Sequence, residues 1–308
     1  MIDSVRPIRV LVTGASGFVG SAVLRELLLH GHTVHALVHR RRPKMTHQRL
    51  ITFQGEVDQP AGLNAAMEGV DAIIHLVGII AVDSARNITY RRVHVDLVRC
   101  LVEAGVRAGV GRYIHMSALG VDPDSRSLYH QTKAAGEEIV RASPLAWTIF
   151  RPSLILGLEG EFARMLTAWS RGTRAPFVFM PYFGAGLVGA GRKYLIQPIA
   201  VADVARAFTD ALSNPASIGK MYDLGGDQRM SWPELYRRFS AAIGGKSRAT
   251  LPIPAWYALM LTRCVPAGLL PFNRAQVLMS QEDSVADVEA FVADFGWRPG
   301  SALSGFGR

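Results

Sequence analysis

Cysteine is scarce in this sequence, and the two residues present, Cys100 and Cys264, lie far apart with no CxxC spacing. Disulfide frameworks and structural zinc sites need several cysteines or histidines at short, defined spacings. The histidines do not supply such a set, because His30, His32 and His35 cluster without a carboxylate or cysteine at metal-ligand spacing. We therefore expect reduced thiols and no metal site.

Long apolar runs are also missing. A membrane-spanning helix needs about 18 or more consecutive apolar residues, and the nearest candidate, residues 251–272, is interrupted by four prolines and by Arg263. The amino terminus runs within a few residues into an apparent strand, which leaves no room for a secretory signal. These absences predict a cytoplasmic protein. If it binds a membrane, we expect peripheral contact with the inner membrane.

Acidic residues are outnumbered, with 25 Asp and Glu against 34 Lys and Arg and a formal net charge of +9. An excess of positive charge is typical of proteins that bind nucleic acid, anionic lipid or a phosphorylated cofactor. The arginines are scattered, except for the run Arg40, Arg41 and Arg42, and no basic stripe is interleaved with aromatic residues. We therefore expect no nucleic-acid partner.

Apolar β-branched runs alternate with amphipathic segments over the first half of the 308 residues. Strands without polar alternation, each followed by a helix, predict a parallel sheet buried on both faces. The fold class is therefore α/β, with a doubly wound (Rossmann) parallel sheet and a smaller carboxyl-terminal lobe. The predicted strands are residues 8–14, 33–39, 50–55, 71–78, 112–117 and 146–152.

This regularity ends after Gly157, where the chain becomes rich in glycine, proline and aromatic residues. A helix over residues 201–212 and a strand over residues 220–226 are predicted within this half. We expect a dinucleotide-binding domain over residues 1–157 and a smaller substrate or partner lobe over residues 158–308. About residues 197–224 should return to the sheet.

A glycine loop, TGASGFVG, lies between the first predicted strand and the first helix. In such a loop, one glycine allows a tight turn, the next lets the backbone approach a pyrophosphate, and the last packs the helix on the sheet, while the helix amino end supplies free N–H donors. The spacing GxxGxxG after a first strand predicts a dinucleotide site. Its residues are Gly14, Ser16, Gly17, Phe18, Val19 and Gly20.

The nucleotide is predicted from the end of the second strand. An NAD site normally places an acidic residue there to bind the ribose 2′-hydroxyl, but this sequence has His39 and Arg40, followed by two further arginines. A cationic loop without a carboxylate pairs with a 2′-phosphate. NADP(H) is therefore favoured over NAD(H), and a merely solvated basic loop is the alternative.

Ser117, Tyr129 and Lys133 follow the fifth predicted strand in the order of a dehydrogenase triad. Tyr129 and Lys133 are four residues apart and so share one helix face. A nearby ammonium favours the phenolate of a tyrosine acid/base, and we expect Ser125 or Ser127 to cap this helix. The alternative is that these are ordinary turn, core and surface residues.

His75 and His115, inside apolar strands, are expected to be satisfied core residues.

With these motifs, and with RPSLILG, QPIAVADVA and FNRAQVLMSQEDSV, the chain resembles the extended and atypical branches of the short-chain dehydrogenase/reductase superfamily, which are NAD-dependent epimerase/dehydratase-like. It is most similar to the subfamily of the dehydrogenase-like accessory subunit of respiratory complex I and its bacterial relatives. The resemblance implies that Ser117, Tyr129 and Lys133 are catalytic and that His94 stands where extended members carry asparagine. It also implies cofactor contacts at Glu56, Val57, Leu76, Val77, Gly78, Lys133, Pro152 and Leu154.

Two classes of function follow from this resemblance. One is an NADP(H)-dependent oxidoreductase or epimerase acting on a small-molecule carbonyl or alcohol. The other is a non-catalytic nucleotide-binding accessory or assembly module on a membrane complex such as complex I. For residues 251–279, which are rich in apolar and aromatic residues, we expect either a peripheral contact surface for a membrane or membrane complex or a wholly buried cap over the substrate pocket.

Overall fold

A computed structural model describes residues 6–39, 41–55, 57, 60–83, 86–246, 248–265 and 270–306. Two predicted site residues, Arg40 and Glu56, lie outside the described residues. The strands are β1 Arg9–Thr13, β2 Thr33–Val38, β3 Leu50–Gln54, β4 Ala72–His75, β5 Arg112–Met116, β6 Ala146–Pro152, β7 Ile155–Leu156, β8 Phe179–Gly184, β9 Leu195–Ile196, β10 Ile199–Ala200, β11 Lys220–Leu224, β12 Met230–Ser231 and β13 Ala249–Pro254.

Ten α-helices lie among these strands in the described part of the chain. They are α1 Phe18–Leu29, α2 Pro60–Met67, α3 Leu97–Arg107, α4 Leu128–Arg141, α5 Glu161–Arg171, α6 Val201–Asp210, α7 Trp232–Ala242, α8 Ala255–Cys264, α9 Arg274–Met279 and α10 Glu289–Phe295. A π-helical stretch, Arg92–Asp96, leads directly into α3. None of the described helices is long and apolar enough to cross a membrane.

Seven strands form one parallel sheet in the order β11-β6-β5-β4-β1-β2-β3. Two apolar clusters cover its faces. One includes Val23 and Leu27 of α1 with Phe208 of α6, and the other includes Leu101 of α3 and Val140 of α4. The predicted doubly wound parallel sheet is therefore confirmed. The strand order reverses between β1 and β4, which places a binding crevice at the carboxyl ends of these strands.

The second half of the chain contributes to the sheet and also builds a lobe of its own. β11 pairs along β6 from Lys220 to Leu224, and α6 packs beside α1. The lobe is organised by β8 and β13, which pair in parallel over their whole length. Its apolar cluster includes Trp169 of α5 and Phe239 of α7.

A buried arginine ties the late part of the chain to the sheet. The Arg112 guanidinium donates to the carbonyl oxygens of Ala146 and Ala211 and to the hydroxyls of Thr148 and Ser217, at 2.5–3.1 Å. Arg112 is 7% exposed, and burial lowers its pKa to about 10. Since residues 211 and 217 follow α6, the Arg112 side chain reaches its full set of partners only when residues from the second half are in place.

Candidate active site

The glycine loop is shaped by contacts that leave no room for side chains. Gly14 has a φ of +76°, and a Cβ on it would stand 3.1 Å from the Leu76 backbone at the end of β4. A Cβ on Gly20 would stand 2.1 Å from the Gly14 carbonyl oxygen. Gly17 occupies the N-cap of α1 without any side-chain cap, so the first-turn N–H groups are available to an anion. This cradle fits a dinucleotide pyrophosphate.

The other residues predicted in this loop lie around the same helix end. Ser16 is exposed, Val19 is buried, and Phe18 is half-buried. The Phe18 ring lies where a Cβ on Gly157 or Gly160 would clash with it, at 2.9–3.1 Å. The loop therefore packs against the chain that leaves β6.

The predicted cofactor contacts farther along the crevice are spread over three strand ends. His39 follows β2 and is exposed, and Val57 is buried in the core cluster. After β4, Leu76 donates its N–H to the Thr13 carbonyl at 3.2 Å, followed by half-buried Val77 and exposed Gly78. Beyond this group, Pro152 ends β6, and Leu154 packs on the lobe cluster.

Lys133 lies at the centre of the predicted catalytic set. Its ammonium donates to the Met116 carbonyl oxygen at 2.9 Å, and it is 3.2 Å from the position of a Cβ on Gly78. It is therefore held between the carboxyl ends of β4 and β5. Burial lowers the pKa of Lys133 to about 8, and the nearby Glu137 carboxylate opposes this shift.

Tyr129 lies one helical turn before Lys133 on α4 and is 9% exposed. Its ring packs edge-on against His94, with ring centroids 5.3 Å apart, and against Tyr90, at 6.0 Å. Burial, reinforced by Tyr90, raises the pKa of Tyr129. The hydroxyl is consequently protonated at neutral pH, as a proton donor requires.

Ser117 directly follows β5, where its N–H donates to the Phe150 carbonyl at 2.8 Å. The residue is 4% exposed, and its hydroxyl has no hydrogen-bond partner among the described residues. The structure thus brings Ser117, Tyr129 and Lys133 to one end of the β5–α4 unit. Ser127 is the N-cap residue of α4, as one of the two predicted candidates, although its side chain accepts no cap hydrogen bond.

His94 is locked by hydrogen bonds on both ring nitrogens. Its Nε2 accepts from the Ile79 N–H at 3.2 Å, and its Nδ1 lies 3.0 Å from the Thr132 hydroxyl. Because Nε2 accepts, the proton of the neutral ring must be on Nδ1. Burial, with Lys133 nearby, lowers the pKa of His94 to about 3. The residue in the asparagine position therefore anchors the backbone after β4, and it lies within a π-helical stretch of the kind often found at functional sites.

His75 and His115 were expected to be satisfied core residues, and this expectation is wrong. The His75 Nδ1 is 2.7 Å from the Thr13 hydroxyl, but its Nε2 and both nitrogens of His115 have no partner within the described residues. The two rings stack at 5.4 Å. The buried ring nitrogens of His75 and His115 near Lys133 therefore keep hydrogen-bonding capacity that no described residue uses.

Residues 273–284 contact the residues beside the site from the second lobe, and only residues 273–279 fall within the segment expected as a possible cap. Asn273 donates to the Ile80 carbonyl at 3.2 Å, and Glu282 lies 3.6 Å from the His130 Nδ1. Within the described residues, no group of three or more His, Cys, Asp and Glu side chains could hold a metal ion. His130 adjoins Tyr129 in the sequence, but no local pattern relates it to Glu282.

Comparison with known proteins agrees with this geometry. A family model described as NAD(P)H-binding matches residues 14–164. Subunit 9 of the mitochondrial NADH dehydrogenase (ubiquinone) 1 alpha subcomplex of Arabidopsis thaliana is 30% identical over 282 residues, which cover 88% of this chain and 67% of that protein. The ceramide reductase of Caulobacter vibrioides is 31% identical over 210 residues, which cover 64% of this chain and 65% of that protein.

The fold is shared with solved enzymes. The dTDP-glucose 4,6-dehydratase of Streptomyces venezuelae, solved with NAD bound, has a TM-score of 0.73 at 21% identity, over 98% of this chain and 95% of that chain. This chain belongs to the family of the subunit 9 proteins, and its residues 14–164 match an NAD(P)H-binding domain. It spans about two thirds of the length of these curated relatives. The predicted family and the predicted binding of a nicotinamide nucleotide are thereby confirmed.

Proposed function

We propose that this protein is an NADP(H)-dependent oxidoreductase, or an epimerase using the same chemistry, that acts on a carbonyl or alcohol group. The position of Lys133 carries the proposal, since its ammonium is held at the Met116 carbonyl beside Gly78. This point lies at the crevice that opens between β1 and β4, where ligands of doubly wound sheets bind. Lys133 there would contact the ribose hydroxyls of the nicotinamide half.

The other residues follow from this placement. Tyr129, kept protonated by burial, gives its proton to the carbonyl oxygen during reduction and takes it back during oxidation. Ser117 orients the same oxygen through its hydroxyl. When bound, the nicotinamide supplies or accepts the hydride.

The preference for NADP(H) is supported by the charges after β2. His39, Arg41 and Arg42 are exposed there, and a cationic group pairs with the 2′-phosphate that distinguishes NADP(H). Calorimetric titration should give tighter binding of NADPH than of NADH. Replacing Arg41 and Arg42 with alanine should weaken only NADPH binding, whereas Arg237→Ala, an exposed control on α7 in the second lobe, should alter neither. Tighter binding of NADH to the unchanged protein would contradict the proposal.

The substrate class is tested by following NADPH absorbance with a panel of ketones. The panel includes long-chain lipid ketones, because one relative is named a ceramide reductase. Tyr129→Phe should abolish turnover of any substrate found. Tyr113→Phe is the matched control, since it removes a buried hydroxyl that also has no described partner. Undiminished turnover by Tyr129→Phe would remove the tyrosine from the mechanism.

A second function is favoured by Ser117 and His94. The Ser117 hydroxyl is shielded from solvent, and both His94 nitrogens are bonded, to the Ile79 N–H and the Thr132 hydroxyl, so His94 is held as a structural anchor. These features suit a module that keeps its nucleotide bound as a structural element on a membrane complex, in the manner of an accessory subunit. In that case NADPH should copurify and resist dialysis, and no ketone should oxidise it.

A further inference from the structure

Net positive charge is concentrated in two stretches that contribute to the β8–β13 lobe, residues 162–202 and 235–281. Together they contain eleven Lys and Arg and no Asp or Glu. The rest of the chain has 23 Lys and Arg against all 25 carboxylates, so it is nearly neutral. The lysines and arginines are as scattered as expected, but the carboxylates avoid these two stretches, which leaves them with a net positive charge. Two of the eleven cations pair with carboxylates just outside the stretches, Arg192 with Asp283 and Arg238 with Glu234.

The same two stretches expose apolar side chains out of proportion to their length. Of the 18 large apolar side chains that are exposed among the described residues, nine lie in these stretches, which make up less than a third of the chain. Dispersed exposed apolar residues are normal on protein surfaces, but clustered ones mark interaction sites.

One cluster, the α8 patch, consists of Leu187, Val188, Trp256, Tyr257 and Met260. Leu187 is 81% exposed and Trp256 is 52% exposed. The Trp256 indole N–H donates to the Leu187 carbonyl at 2.9 Å, which joins the loop after β8 to helix α8. The alternative of a wholly buried cap is therefore wrong for α8, although α9 does lie over the site.

Cations border this patch. Trp256, Met260 and Arg263 are spaced i, i+4 and i+7 and so share one face of α8, and Arg263 is exposed. Exposed Lys193 lies five residues after Val188, and it forms no ion pair among the described residues. Aromatic, aliphatic and basic side chains thus meet on one surface.

We infer that the α8 patch docks this protein on the surface of an anionic lipid bilayer. Trp and Tyr with aliphatic neighbours enter the headgroup boundary, and surrounding Lys and Arg are attracted to anionic headgroups. The absence of carboxylates from both stretches removes the repulsion that such a surface would otherwise meet. A nucleic-acid partner fits less well, because the exposed groups include aliphatic side chains that do not stack on bases. This surface is separate from the nucleotide site, and its role does not depend on turnover.

Cosedimentation of the full chain with vesicles tests the inference. Vesicles of phosphatidylcholine alone are compared with vesicles containing phosphatidylglycerol, at low and high salt. We expect binding only to the anionic vesicles, weakened by salt because the Debye length falls from about 10 Å at 0.1 M to about 3 Å at 1 M. Leu187→Asp with Val188→Asp should reduce the bound fraction about tenfold.

Leu29→Asp is the matched control, because Leu29 is 80% exposed but lies at the end of α1. It should bind like the unchanged protein, and all variants should keep the same circular dichroism and NADPH affinity. No cosedimentation at low salt would overturn the inference, as would equal binding to neutral vesicles. Loss of binding in Leu29→Asp but not in the Leu187/Val188 variant would also overturn it. Retention on RNA in the absence of vesicle binding would assign the charge to another partner.

Discussion

Replacing Lys133 with methionine should make the nucleotide-free protein more stable. Burial lowers the pKa of Lys133 from 10.5 to about 8, and a tenfold change in proton affinity corresponds to about 1.4 kcal/mol. The buried ammonium therefore costs ~3 kcal/mol of folding stability at pH 7. The Lys133→Met variant also lacks the hydrogen bond to the Met116 carbonyl, and this loss lowers its stability by about 1 kcal/mol. We expect Lys133→Met to raise the free energy of unfolding by ~2 kcal/mol.

The pH dependence has a definite sign. Between about pH 8 and 10.5, the unfolded chain holds more protons at Lys133 than the folded chain does, so stability rises with pH across this window. The penalty is complete below about pH 8 and absent above 10.5. The stability advantage of Lys133→Met should accordingly be largest at pH 7 and disappear towards pH 10.5.

Urea unfolding followed by circular dichroism at pH 7, 9 and 10.5 measures this difference. Lys246→Met provides the control, since Lys246 is exposed and its replacement should change little at any pH. A Lys133→Met protein that is less stable at pH 7, or whose difference from the unchanged protein does not vary with pH, would refute the reasoning. The stabilised variant should also lose NADPH-dependent turnover, because functional residues are often retained at a cost in stability.

Three further changes test other parts of the structure. Gly20→Ala forces a Cβ to within 2.1 Å of the Gly14 carbonyl oxygen, so calorimetry should show NADPH affinity lowered at least about tenfold. Arg112→Met leaves several buried acceptors unsatisfied, and urea unfolding should show a loss of ~3–5 kcal/mol. Glu137→Ala leaves the Arg151 guanidinium, now bonded to that carboxylate at 2.5–2.8 Å, unpaired, and the same measurement should show a loss of ~3–5 kcal/mol. An unchanged NADPH affinity or an unchanged free energy of unfolding would contradict the role given to the corresponding contact.

The sheet and the glycine loop could be predicted because their signals are local. Apolar β-branched runs mark the buried strands, and the spacing of Gly14, Gly17 and Gly20 follows from a turn that excludes Cβ atoms. The pairing of Tyr129 and Lys133 on one helix face follows from helical periodicity alone. Such features depend on residues within a few positions of one another.

Features that depend on distant residues could not be predicted. The hydrogen bond from Asn273 to Ile80 joins residues 193 positions apart, and the contact of His130 with Glu282 also crosses between the two halves. The π-helical stretch around His94 replaced a regular helix, because helical periodicity does not distinguish one extra residue in a turn. The segregation of charge became visible only when β8 and β13 showed which stretches form one lobe.

The hydrogen bonds of Arg112 have a consequence for how the chain folds during synthesis. The acceptors at Ala211 and Ser217 are translated about a hundred residues after the arginine itself, and the edge of β6 stays open until β11 has left the ribosome. The amino-terminal half should therefore wait in an incomplete, aggregation-prone state. A chain released after residue 157 should be insoluble or chaperone-bound, whereas one extended past residue 224 should form the complete seven-stranded sheet.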